Sequence, residues 1–175
     1  LNNRHFPKGR RTLTRTVIVT GAARGIGLAT TRLFISEGWQ VAMVDRDGDE
    51  LARAADPLDD ASPFLCDVSN PDAVEDMIAG VQAWAGQLDA LVNNAGISPK
   101  GENGERLDTL GTDLSTWGKV FHVNFFASVI LARGLKEELL SAQGAIVNVT
   151  SIAGSRVHPF AGAAYATSKA ALGAL

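Results

Sequence analysis

Cysteine is nearly absent from the sequence: Cys66 stands alone among 175 residues. One thiol cannot close an internal disulfide, and such a chain fits a reducing compartment, so a cytoplasmic location is expected. Tyrosine is equally scarce, with Tyr165 the single example. No apolar run approaches the ~20 residues that a membrane-crossing helix needs; the longest, around Phe125 to Ala132, falls far short. Neither charge sign prevails. The 16 basic and 19 acidic residues leave a net charge of −3, which gives no electrostatic reason to expect a nucleic-acid or membrane partner. His5, His122 and His158 are scattered, and no Cys/His spacing indicates a metal site. Repeats and low-complexity tracts are missing too, so one domain is expected from a chain of this length.

What is present divides into two parts. Residues 1–15 are basic and irregular (Arg4, Lys8, Arg10, Arg11, Arg15) and contain no acid. They read as a disordered tail or a cloning remnant, with a targeting presequence as the alternative. From Thr16 onward strand and helix patterns alternate. Thr16 to Thr20 is a short β-branched run, the signature of a buried strand. A glycine-rich turn follows, and Ile26, Ala29, Leu33 and Phe34 then mark one face of a helix that Gly38 closes. Further strands are expected at Val41 to Val44, Pro63 to Cys66, Leu88 to Val92 and Ala145 to Thr150. Helices are expected from Asp49, after Ser69-Asn70-Pro71-Asp72, from Ser115, and from about Ala161 to the end. Such alternation implies an α/β fold in which a doubly wound parallel sheet carries helices on both faces, giving three layers.

Several stretches at strand ends carry chemistry. In Gly21-Ala22-Ala23-Arg24-Gly25-Ile26-Gly27, Gly21 can make a tight turn, Gly25 lets backbone approach a pyrophosphate, and Gly27 permits close helix–sheet packing. Amides at the helix start then face phosphates. Asp45 ends the second strand where an acid accepts hydrogen bonds from an adenosine ribose, which favours NAD over NADP. Arg24 and Arg46 blur that preference, since either can reach a phosphate. Asn93-Asn94-Ala95-Gly96 follows the fourth strand, at the edge where open α/β sheets hold ligands. Asn124 puts an amide on an apolar helical stripe, which costs free energy unless it is hydrogen-bonded. It either satisfies a local backbone break, to which Gly118 would contribute, or holds a water. Ser151 ends the fifth strand, as a cap or as a ligand group. His158 reads as a substrate-side loop residue at most, and His122 as structural or exposed. Tyr165 and Lys169 stand four apart, on one face if helical, and an ammonium beside a phenol favours the phenolate.

Together, Thr20-Gly21-x-x-x-Gly25-Ile26-Gly27, Asp67-Val68, Asn93-Asn94-Ala95-Gly96, Asn124, Ser151 and Tyr165-x-x-x-Lys169 resemble the short-chain dehydrogenase/reductase family in its main oxidoreductase branch. The resemblance covers about residues 15 to 175 and implies a Rossmann-type dinucleotide-binding domain over residues 16–175. It further implies hydride transfer between a nicotinamide cofactor, NAD before NADP, and a small-molecule carbonyl or secondary alcohol. Tyr165 would be the general acid or base, Ser151 would bind the substrate oxygen, Lys169 would bind the nicotinamide ribose and lower the tyrosine pKa, and Asn124 would hold a water. Cofactor contacts would come from Gly21, Arg24, Gly25, Ile26, Gly27, Asp45, Asp67, Val68, Asn94, Ala95 and Gly96, together with Tyr165 and Lys169. The Ser151–Tyr165 gap and the loop 97–112 look longer than the family's usual ones, and both border the substrate side. The family's last strands and substrate-covering loop have no counterpart here. A C-terminally truncated member is therefore expected, with homo-oligomerisation for a full-length form. The alternatives are a non-catalytic dinucleotide-binding module or an inactive fragment of such an enzyme.

Overall fold

Thr16–Thr20 (β1) is buried at every position, as a β-branched run in a two-sided parallel sheet requires. The structure, a computed structural model, describes residues 14–175, so the tail reading lies outside the described residues up to position 13. Beside β1 run β2 (Gln40–Asp45), β3 (Ala61–Leu65), β4 (Ala90–Asn93) and β5 (Ala145–Asn148). All pair in parallel, in the order β3-β2-β1-β4-β5. The winding reverses between β1 and β4, which opens a crevice at their carboxyl ends.

Helices α1 (Gly25–Ser36), α2 (Gly48–Ala55), α3 (Pro71–Trp84), α4 (Leu114–Phe121), α5 (Ala127–Gly134), α6 (Lys136–Ala142) and α7 (Ala163–Ala174) make the outer layers. Each sheet face has its own core. Ile18 and Leu91 pack with Val74 and Val81 of α3 and Leu131 of α5. Val17, Val19, Val41 and Met43 pack with Leu51 and Ala54 of α2. These are the three expected layers. Side-chain caps set where helices begin, Asp47 at α2 among them. Asn70 accepts from the amides of Asp72 and Ala73, with Pro71 opening α3. Asp113 opens α4, and the hydroxyl of Ser115 first, then the amide and hydroxyl of Thr116, pull its carboxyl down to about 2.

Three expectations need correction. Of the face marked by Ile26, Ala29, Leu33 and Phe34, only Phe34 packs against the sheet core: Ile26 is 66% and Leu33 63% exposed, whereas Gly27 and Thr31 are buried. Contact distance decides this at the first turn, where a Cβ on Gly27 would meet the Gly21 carbonyl; further along, Leu28, Phe34 and Ile35 pack partly buried against the sheet core. Strand β3 starts at Ala61, ahead of Pro63; it is an edge strand, where proline is tolerated. The helix expected from Ser115 does not run on unbroken: the irregularity weighed for Asn124 is present as a π-turn, His122–Phe126, between α4 and α5. At the opposite sheet edge, β5 leaves Ile146 44% and Val147 50% exposed.

Candidate active site

The turn after β1 is built by its own sequence and lashed to the end of β4. Gly21 and Gly25 adopt φ of +65° and +56°, in the left-handed region open to glycine. The hydroxyl of Thr20 accepts from the amides of Asn94 and Ala95, both at 3.0 Å. In return Nδ2 of Asn94 donates to the carbonyls of Thr20 (2.8 Å) and Gly21 (3.2 Å). Gly27 lies directly behind: a Cβ there would fall 2.0 Å from the Gly21 carbonyl oxygen. Thr20 is a site residue that the residue-by-residue reading passed over; its signal is a hydroxyl at the buried end of a strand that feeds a glycine turn.

Asp45, at the end of β2, accepts from the amide of Ala23 with one carboxylate oxygen (3.1 Å) and from that of Asp47 with the other (3.2 Å). It therefore joins the first turn to the second. Arg24 pairs with Asp47 at 3.5 Å across an exposed surface, an interaction of little stabilising weight. Asp67 accepts from the hydroxyl (2.7 Å) and amide (2.9 Å) of Ser69, and these bonds hold its carboxyl below the usual carboxylate range. Burial, with the neighbouring charge of Asp67, pushes the Cys66 thiol up to about 11.

These groups line one cleft of about 280 Å³, which gathers Gly21, Arg24, Asp45, Arg46, Asp67, Val68, Asn94, Ala95 and Gly96. Gly25 and Ile26 sit exposed at the start of α1, and the Ile26 side chain points away from the core. A larger depression, about 430 Å³, lies between α3 and α6 and holds none of the expected residues. The smaller cleft lies where the winding reverses and carries the glycine turn.

Helix α7 brings the second group to the same end. Tyr165 is half-buried and Lys169, one turn on, is buried. The ammonium of Lys169 donates to the carbonyl of Val149 at 2.7 Å, and burial lowers its pKa. Ser151 caps the short 3-10 turn Ile152–Gly154, its Oγ accepting from the amide of Ala153 at 3.2 Å. That turn rests on α7 so closely that a Cβ on Gly154 would fall 2.8 Å from the Lys169 carbonyl carbon. Gly96 joins the two groups: a Cβ there would lie 3.4 Å from both Asn124 Oδ1 and Lys169 Nζ.

Asn124 occupies the π-turn and is buried. Its Oδ1 accepts from the amide of Ile97 (2.8 Å), and its Nδ2 donates to the Ile97 carbonyl (3.0 Å) and to Ser168 Oγ (3.0 Å). Both amide hydrogens are thus used, and one acceptor lone pair is left. The helix irregularity is real, but the partners of Asn124 come from elsewhere in the chain. His122 is exposed and sits with Nδ1 2.7 Å from the Gly118 carbonyl. A carbonyl only accepts, so Nδ1 carries the hydrogen. The loop 97–112 closes over the start of α7, where Leu107 accepts from the amide of Ala163 at 2.9 Å. Lys100 also donates to the Phe160 carbonyl, in the segment that contains His158.

A sequence profile described as short chain dehydrogenase matches residues 15–175. Protein FixR of Bradyrhizobium diazoefficiens is 48% identical over 163 residues, which cover 92% of this chain and 59% of that protein. The crystal structure of an oxidoreductase (short chain dehydrogenase/reductase family) from Brucella ovis, in complex with a partially ordered NAD, superposes with a TM-score of 0.84 at 50% identity, covering 92% of this chain and 74% of the other. A metagenomic short-chain oxidoreductase in complex with NADP gives a TM-score of 0.83 at 33% identity, covering 93% and 73%. The chain spans little more than half the length of the curated relatives it matches.

Proposed function

Because the chain belongs to the short chain dehydrogenase family, we propose that it carries the site of an NAD-dependent oxidoreductase that interconverts a carbonyl and a secondary alcohol. The observation that carries this reading is the convergence at Gly96. There a buried ammonium, Lys169, and a buried amide, Asn124, meet the floor of the cleft formed by the glycine turn. The residues fit a dinucleotide. The first turn of α1 contains no acid, and no side chain caps its amides, which leaves them free for a pyrophosphate. Gly21, Arg24, Gly25, Ile26 and Gly27 would hold the phosphates, Asp45 a ribose, Asp67 and Val68 the adenine, and Asn94, Ala95, Gly96, Tyr165 and Lys169 the nicotinamide half. When bound, the nicotinamide exchanges hydride with the substrate carbon.

The chain's own groups handle the proton. Ser151 Oγ accepts from Ala153, so its hydrogen remains free to bind a substrate oxygen. Tyr165 gives a proton to that oxygen on reduction and takes one on oxidation. Lys169 donates one hydrogen to Val149, leaving two for a ribose and a water. The free lone pair of Asn124 Oδ1 can receive a hydrogen from the same water.

Asp45 on the cleft wall favours NAD, since a carboxylate repels a 2′-phosphate. No described helix is long and apolar enough to cross a membrane; the free thiol of Cys66 fits a cytoplasmic setting. A small-molecule substrate and a homo-oligomeric full-length form complete the reading. NADH oxidation across a panel of ketones and aldehydes tests it. Turnover with at least one carbonyl, faster with NADH than with NADPH, is expected. NADH binding without turnover of any carbonyl would mark a non-catalytic module instead.

A further inference from the structure

Ser168 is fully buried on α7, between Tyr165 and Lys169 in sequence. Its hydroxyl donates to the Tyr165 carbonyl at 2.8 Å, a back-bond that helical serines often make. The unusual feature is what reaches the other side of the oxygen. Asn124 Nδ2 donates to it at 3.0 Å, and Asn124 is in turn clamped to both backbone groups of Ile97, just past β4. A continuous line runs from the end of β4 through Asn124 and Ser168 to the backbone of Tyr165. Every hydrogen on that line has one partner, so the hydroxyl has a single rotor position.

We propose that Ser168 is a positioning residue that locks Tyr165 and Lys169 onto the end of β4 through Asn124. Its effect on turnover rests on the oxidoreductase reading above; its effect on the placement of Lys169 does not. Ser168 is not itself catalytic, since it faces Asn124 and backbone rather than the cleft. It fixes the azimuth of α7. Lys169, the next residue, then keeps its ammonium on the Val149 carbonyl at 2.7 Å.

The test compares Ser168→Ala with Thr167→Ala. Thr167 makes the same kind of back-bond, to Ala163 at 2.9 Å, but on the exposed face of α7. Brief acetic anhydride labelling of Lys169, read by mass spectrometry against Lys100, Lys119 and Lys136, reports the local position. Alkylation of buried Cys66 reports global opening. In Ser168→Ala, labelling of Lys169 rises severalfold while Cys66 stays protected, and kcat for NADH-dependent reduction falls about tenfold or more, as small misplacements do. KM for NADH stays within about twofold, as for an interaction that acts on the chemical step. Thr167→Ala behaves as the parent. Ser168→Cys, which keeps the volume with a weak donor, falls between parent and Ser168→Ala and serves if the alanine variant does not fold. Unchanged labelling of Lys169, labelling that rises in step with Cys66, or an equal effect of Thr167→Ala overturns the proposal. A parent with no NADH turnover would instead defeat the oxidoreductase reading, and the labelling ratio then decides the role of Ser168 by itself.

Discussion

Adding one methyl group at Gly27 is expected to unfasten the turn between β1 and α1. On helix propensity alone, Gly27→Ala would gain roughly 1 kcal/mol. Position reverses the sign. The new Cβ would lie 2.0 Å from the Gly21 carbonyl oxygen and 2.7 Å from Asn94 Nδ2, and the nearer group is backbone, which cannot swing aside. Either α1 retreats from β1, or Asn94 gives up its bonds to the carbonyls of Thr20 and Gly21. Overpacking of this kind costs about 1–3 kcal/mol, and leaving a half-buried amide unpaired adds on the order of 1–3 kcal/mol. Set against the propensity gain, the net loss is about 1–5 kcal/mol, which for a chain of this size lowers Tm by roughly 2–20 °C. Gly25→Ala is the control. Its Cβ would meet nothing within 4 Å, but its φ is +56°, a strain of only about 1–2 kcal/mol. Thermal melting by circular dichroism, paired with NADH binding followed by energy transfer from tryptophan, reads both variants. A Gly27→Ala protein that melts at or above the parent, or a Gly25→Ala protein that melts lower than Gly27→Ala, would refute the reasoning.

Asp45→Ser removes a carboxylate that serves the amides of Ala23 and Asp47. NADH affinity should fall about tenfold, near 1.4 kcal/mol, and the NADH/NADPH ratio of Kd values should move toward NADPH; an unmoved ratio contradicts the ribose assignment. Burial lowers the pKa of Lys169, so in the alkaline window below its ordinary 10.5 the unfolded chain binds more protons than the folded one. The stability of the parent relative to Lys169→Met should therefore rise as pH climbs through that window and be lost as pH falls below the folded value; parallel Tm curves would speak against a buried ammonium. With its thiol pushed up to about 11, Cys66 should resist iodoacetamide near about pH 8 in the folded protein and react fully in urea; rapid labelling of the native state would show an open cleft floor.

The parts of the site that can be read from sequence are those whose chemistry is local. A glycine turn between a β-branched run and a helix, an acid at a strand end, and Tyr165 one turn before Lys169 each occupy a few adjacent residues, and the structure brings Gly21, Asp45, Asn94 and Gly96 to one cleft. Asn124 was conspicuous because an amide on an apolar stripe needs a partner. Its actual partners, Ile97 and Ser168, lie 27 and 44 residues away, and no local pattern encodes such distances. The Val149 carbonyl that takes the Lys169 ammonium is hidden for the same reason. On α1, counting large apolar residues marked a face of which only Phe34 packs against the sheet core. At its first turn the contact between Gly27 and Gly21 governs which side faces the sheet, and close approach favours small residues.

The central claim is that Tyr165 carries the proton of the proposed carbonyl–alcohol interconversion. Tyr165→Phe deletes one oxygen and leaves Gly21, Asp45, Asn94 and Lys169 in place. Measured side by side with the parent, the variant should bind NADH with an affinity within about twofold of the parent. Its NADH-dependent carbonyl reduction should fall by a factor on the order of 100 or more, the scale of a lost general acid. Turnover in Tyr165→Phe equal to that of the parent would contradict the account.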